Sequence, residues 1–337
     1  MTQQPSNRAR LFVAIAIGAA TTGYLVLGTM LQPGPRDFDQ VWFGARALWA
    51  GKNPYDLVGP GRAFDWPWPL YYPVTALLVV SPLALLPVNL ARLLFVGGSA
   101  ALLSYGITRE SWVRLPVFGS CAFALAVLAA QWSPLLTAIL CFPALAWLVP
   151  VKPNVGLAVM AYEPTAFVLR LVLASTISLV LLGFILLPSW PRDWISVVRS
   201  APHFTVPLRH WGGPILLLAL LRWRRPEARL LAILSIIPQN MVIYATLPLF
   251  LIPRTFRQAL VLTALNNAAF AFIVLIIGAP QSTTENFYQG ATLVALCYLP
   301  ALILVLRRPN EGHVPAWIER SVTRIRSRLL LAETHER

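Results

Sequence analysis

Two carboxylates one residue apart, Asp37 and Asp39, stand where the first long apolar run of the chain ends. A carboxylate at the lip of a membrane is costly unless it is solvated or put to use. Such a group can take a proton from a hydroxyl. It can equally cap a helix, here one starting near Gln40, where acids favour the positive end of the dipole. The D-x-D spacing also mimics a metal-binding motif. The chain has only two lysines, Lys52 and Lys152, against a large excess of arginine. Each can hold an anion or snorkel to an interface. His203 and His210 lie in a second polar segment with Arg199 and Arg209 nearby; a histidine there can bind phosphate, move a proton or do neither. Trp66, Trp68, Tyr71 and Tyr72 offer faces for a ring or an apolar chain, or form an interfacial belt.

The elements that must position these residues are membrane helices. Hydrophobic residues make up 57% of the chain and charged residues 12%, too little charge to coat a soluble domain of 337 residues. Mean hydropathy is +0.66, which leaves an all-α polytopic membrane protein as the class. The net charge of +14 comes from arginines grouped in short segments between apolar runs: 8–10, 222–229, 254–257 and 307–308. That is the pattern of cytoplasmic loops, and it argues against nucleic-acid binding. Cys121, Cys141 and Cys297 sit inside apolar runs without metal-ligand or disulfide spacing.

About 20 apolar residues per crossing divides the chain into twelve membrane segments, the first a retained helix over 11–31. The next spans are 71–88, 91–107, 115–131 and 133–149. A short stretch over 155–162 precedes a long one over 165–187, followed by three short segments at 212–221, 230–239 and 245–252. Spans at 259–277 and 290–306 complete the transmembrane domain, 1–306, and leave a basic amphipathic tail, 307–337. With the amino terminus inside, the loops 32–70 and 188–211 fall outside, each carrying an interfacial helix. The same count puts Arg109 and Arg114 outside, against the positive-inside bias. Short segments broken by Pro238 and Pro248 are tolerated at membrane depth where they line a cavity, so a cavity opening outward is expected. No internal repeat of matching helices is evident, which disfavours inverted-repeat transporters.

Three stretches in order, DFDQVWFGARALWAGKNPYD from Asp37, YYPVTALLVVSPLALLP from Tyr71 and VKPNVGLAVMA from Val151, resemble glycosyltransferase family 87 of the GT-C superfamily. The shared pattern is an acid and an aromatic after the first helix, a Gly-x-x-Pro-Tyr turn, a Tyr-Pro entry to the second helix and a Lys-Pro pair. The resemblance implies a GT-C-like fold. It implies a membrane glycosyltransferase, a hexosyltransferase moving mannose from a polyprenyl monophosphate carrier to a glycolipid or glycan acceptor. Nucleotide sugars are cytosolic, so a site on the outer face of the cell membrane requires a lipid-linked donor. Asp37 is then the general base and Asp39 its understudy. Lys152, His203, His210, Arg209, Lys52, Tyr55 and Tyr72 are expected to bind the donor. Basic side chains replace a cation on a lipid monophosphate, so neither metal nor other cofactor is expected. A transporter or flippase for a lipid-linked sugar is the alternative use of the same cavity.

Overall fold

The computed structural model describes residues 4–162, 164–201, 204–278, 283–312, 314, 318–320 and 324. His203, Glu163 and most of the basic tail lie outside the described residues. The protein is 73% helical. In chain order the helices are α1 (Asn7–Leu31), α2 (Asp37–Trp49), α3 (Pro54–Leu57), α4 (Val74–Ala84), α5 (Val88–Ile107), α6 (Cys121–Leu128) and α7 (Ser133–Ile139). They continue with α8 (Pro153–Tyr162), α9 (Ala166–Leu186), α10 (Trp190–Arg199), α11 (Pro226–Ile236), α12 (Phe256–Phe272), α13 (Thr283–Leu293) and α14 (Leu299–Leu306). Among the described residues four two-residue strands make two small ribbons, β1 (Val58–Gly59) parallel to β2 (Phe64–Asp65), and β3 (Phe204–Thr205) antiparallel to β4 (Gln239–Asn240).

Five helical stretches of the described residues are long and apolar enough to cross a bilayer: 7–31, 88–107, 166–186, 256–277 and 285–306. A sixth arises if α6 and α7, which meet at 118°, are taken as one broken span. Their apolar side chains face outward where lipid would lie: Phe12 is 74% exposed, Ile185 77% and Leu275 78%. In water such exposure would be a liability; in hydrocarbon it costs nothing.

The second predicted span, 71–88, behaves differently from its prediction. Its helical part, α4, has 11 residues and reaches about 16 Å, half the hydrocarbon thickness. α4 lies against α2, where Trp42 Nε1 donates to Leu86 O at 3.1 Å and Arg46 to Ala84 O at 3.4 Å. The chain therefore begins α5 at the same end of the molecule as Asp39, whose carboxylate meets Arg92. α5 then runs antiparallel to α1, its far end marked by Arg10 Nη2 donating to Tyr105 O at 2.7 Å. Gln4 reaches Arg109 O there at 3.1 Å. The loop of Arg109 and Arg114 thus shares the end of the amino terminus rather than the opposite one, and the anomaly in the positive-inside count disappears.

That arginine-rich end is tied together by carbonyls and by acids, Glu227 foremost. Glu227 Oε1 takes contacts from Arg308 at 2.7 Å, Arg254 at 3.3 Å and Arg225 at 3.8 Å. Arg229 donates to Ala161 O and Tyr162 O, joining the end of α8 to α11. Arg222 donates to Arg308 O and Leu306 O. Guanidinium forks suit this work because one side chain satisfies several last-turn carbonyls at once.

Candidate functional site

At the other end the chain encloses a cavity of about 770 Å³. Its floor is built where α1 gives way to α2. Arg36 is extended, and its backbone N–H donates to Asp39 Oδ2 at 2.6 Å, closing the first turn of α2. This cap places Asp37 at the first helical position and Asp39 at the third, on different sides of the turn.

The two acids consequently have different lives. Asp39 is 2% exposed and gripped bidentately by Arg92, Nε to Oδ1 at 2.8 Å and Nη2 to Oδ2 at 2.5 Å. It does not line the cavity and is wholly engaged in holding α2 on α5. Asp37 lines the cavity. Its backbone N–H donates to Ala129 O at 3.0 Å, Gln40 Nε2 donates to Oδ1 at 2.6 Å, and the Tyr72 hydroxyl donates to Oδ2. The D-x-D spacing therefore does not converge on one point, since the second carboxylate is turned away into an ion pair.

The wall beside Asp37 comes from a break in the apolar core. α6 stops at Ala129, Ala130 adopts φ +50°, and α7 leaves at 118°. Ala130 is the one non-glycine with positive φ among the described residues. The break presents Gln131 and Ser133 to the cavity, where the Gln131 side chain favours the ionised form of the Asp37 carboxyl. Ala129 O, a helix-end carbonyl without a helical partner, accepts the Asp37 N–H instead.

Lys152 follows a tight helical run over Pro143–Val151 and precedes the Pro153 that opens α8. Proline after lysine disfavours helical backbone at the lysine, so the chain bends there and delivers the side chain to the cavity. Its Nζ lies 5.9 Å from the Tyr72 ring centroid, on the same side of the site as Asp37. Burial pushes the Asp37 carboxyl above its ordinary range, opposed by Tyr72 and then by Lys152. Burial likewise pulls the Lys152 ammonium below its ordinary value, opposed by Asp37. Each charge thus supports the other in a poorly solvated place.

The upper walls are aromatic. Trp66, Trp68 and Tyr71 from the first polar loop face Trp194 and Phe204 from the second. The loops are pinned together by Trp194 Nε1 donating to Tyr71 O at 2.9 Å, Asn53 Nδ2 donating to Asp193 Oδ2 at 3.1 Å, and Tyr71 edge-on to Phe204 at 5.4 Å. Both loops thus build one mouth.

Other expected ligands stand elsewhere. Tyr55 is 2% exposed and donates its hydroxyl to Tyr72 O at 3.2 Å, so it props Tyr72 from behind and does not line the cavity. Lys52 is exposed at the turn and Arg209 exposed beyond the wall; neither lines the cavity. His210 is buried away from it, with Nδ1 3.1 Å from Phe287 O and its ring against Gly290. Burial lowers its pKa, which suits a neutral packing residue.

Four residues in and around the site have no place among the residues expected from sequence to form it: Gln40, Gln131, Tyr244 and Arg92. Tyr244 lines the cavity from the segment Ile243–Leu251 and senses the Asp37 charge. Arg92 alone had a usable clue, as a single cation inside a 20-residue apolar run, which demands a buried partner. No family model, no curated protein and no solved structure matches the chain.

Proposed function

We propose that the protein is a GT-C-like membrane glycosyltransferase that moves a sugar, mannose by the resemblance of its motifs, from a polyprenyl monophosphate to a hydroxyl acceptor. The observation that carries this reading is that Asp37 and Lys152 both line one aromatic-walled cavity, a carboxylate and an ammonium set within electrostatic reach of each other. In the reaction an acceptor hydroxyl attacks the anomeric carbon while its proton passes to the Asp37 carboxylate. The bond from that carbon to the phosphate oxygen breaks, and the lipid phosphate leaves with its charge held by Lys152. Attack from the face opposite the leaving group inverts the anomeric centre. Tyr72 and Gln40 orient the base, and the tryptophans and tyrosines of the mouth stack on sugar or prenyl chain.

The arginine-rich end then faces the cytoplasm, and the cavity opens on the outer face of the cell membrane. The shorter apolar segments, the broken α6–α7 pair among them, complete a twelve-segment GT-C-like arrangement around the cavity. The test is transfer by purified protein in nanodiscs from radiolabelled polyprenyl-phosphate-mannose to a membrane-lipid extract, native chain against Asp37→Asn. Label in a new product, lost in the variant, is the expected result. Full transfer by the variant overturns the assignment of the base. Labelled donor moving between leaflets without product would favour a flippase.

A further inference from the structure

A second cavity, of about 490 Å³, lies between α12 and α14 at the arginine-rich end. Its upper walls are apolar, Val261 and Leu262 from α12 facing Ile303 and Leu304 from α14, and its rim carries Arg257 and Arg307. Val261 is 50% exposed and Ile303 49%, so this groove is open sideways to the hydrocarbon.

The two rim arginines differ from their neighbours. In the segments 222–229, 254–257 and 307–308, Arg222, Arg225, Arg229, Arg254 and Arg308 give their guanidinium groups to carbonyls or to Glu227. Arg224 pairs with Glu319 at 3.0 Å. Among the described residues none hydrogen-bonds or ion-pairs the guanidinium of Arg257 or Arg307, and both are exposed. Two uncommitted guanidiniums over an apolar slot match a molecule with an anionic head and a hydrocarbon tail.

We infer that the groove between α12 and α14 holds an anionic phospholipid, its phosphate between Arg257 and Arg307 and an acyl chain along Val261 and Ile303. The sidedness of the arginine bias places this lipid in the inner leaflet. The site is separate from the catalytic cavity and does not depend on the reaction assigned there.

Native mass spectrometry of the full chain in detergent, titrated with dioleoyl-phosphatidylglycerol or dioleoyl-phosphatidylcholine, tests it. The anionic lipid should bind in preference to the neutral one. Arg257→Gln with Arg307→Gln should weaken its binding about thirtyfold, whereas Arg192→Gln should not change it. Val261→Trp, which fills the slot and keeps both charges, should also lower retention and guards against a double variant that fails to fold. Equal binding of both lipids, or insensitivity to both the double variant and Val261→Trp, overturns the site. Displacement of the lipid by millimolar inorganic phosphate would assign the arginines to a free anion and overturn the lipid.

Discussion

The Tyr72 hydroxyl donates to Oδ2 of Asp37, a residue 35 positions earlier, so the proposed base is aimed by the aromatic pair at the entry to α4. Removing that donor while keeping the ring isolates its effect. Tyr72→Phe deletes the largest influence that lowers the Asp37 pKa, so the pKa rises further. Transfer needs the ionised carboxylate, so the acid limb of kcat/KM should lie above the ordinary carboxyl value of 3.8. In the variant that limb should move to still higher pH, with activity recovering at alkaline pH. A pH–rate profile of both proteins decides it, and an unmoved limb removes Asp37 from the role of base.

Asp37→Asn should behave oppositely in stability and activity. A carboxyl whose pKa is raised on folding contributes stability below its unfolded pKa and loses that contribution as pH rises through the folded one. At pH 7 the native aspartate is therefore a burden, and the asparagine protein should melt at the same temperature or higher while transferring nothing. A marked fall in melting temperature would mean the carboxylate is structural.

Asp39 predicts the reverse. Asp39→Asn leaves Arg92 buried with half its partner, and breaking a buried pair costs about 3–5 kcal/mol. Arg92→Met with Asp39→Leu, which removes both charges, should recover part of that loss. Thermal unfolding in detergent measures both, and an undisturbed single variant would refute the pair's structural role.

His210 should be dispensable for chemistry. A methyl group at Gly290 would overlap its ring, so Gly290→Ala should destabilise by about 1–3 kcal/mol. Adding His210→Ala should relieve the clash. If His210→Ala alone abolishes transfer in a stably folded protein, its placement away from the site is wrong.

The turn at Ala130 carries backbone strain, since φ +50° is unfavourable for any residue with a Cβ. Ala130→Gly should be neutral or stabilising by up to about 1 kcal/mol, and Ala130→Val destabilising by more. Comparative thermal unfolding checks the order, and the reverse order would place the turn in another conformation.

The sequence by itself determined the membrane class, because 57% apolar content and arginines sorted into short segments are local properties that hydration alone decides. It also singled out Asp37, Tyr72 and Lys152, where an acid, a paired tyrosine and a rare lysine stand beside prolines that bend the chain. Which carboxylate faces the cavity was not legible. That choice rests on Arg92, 53 residues from Asp39, which claims one acid and leaves the other free. The end of the molecule reached by Arg109 was equally hidden, since α4 and a true span look alike in hydropathy. Only packing on α2 shows that α4 lies at one end. Gln131 and Tyr244 entered the site through a broken helix and a distant turn, and no local periodicity records such long-range convergence.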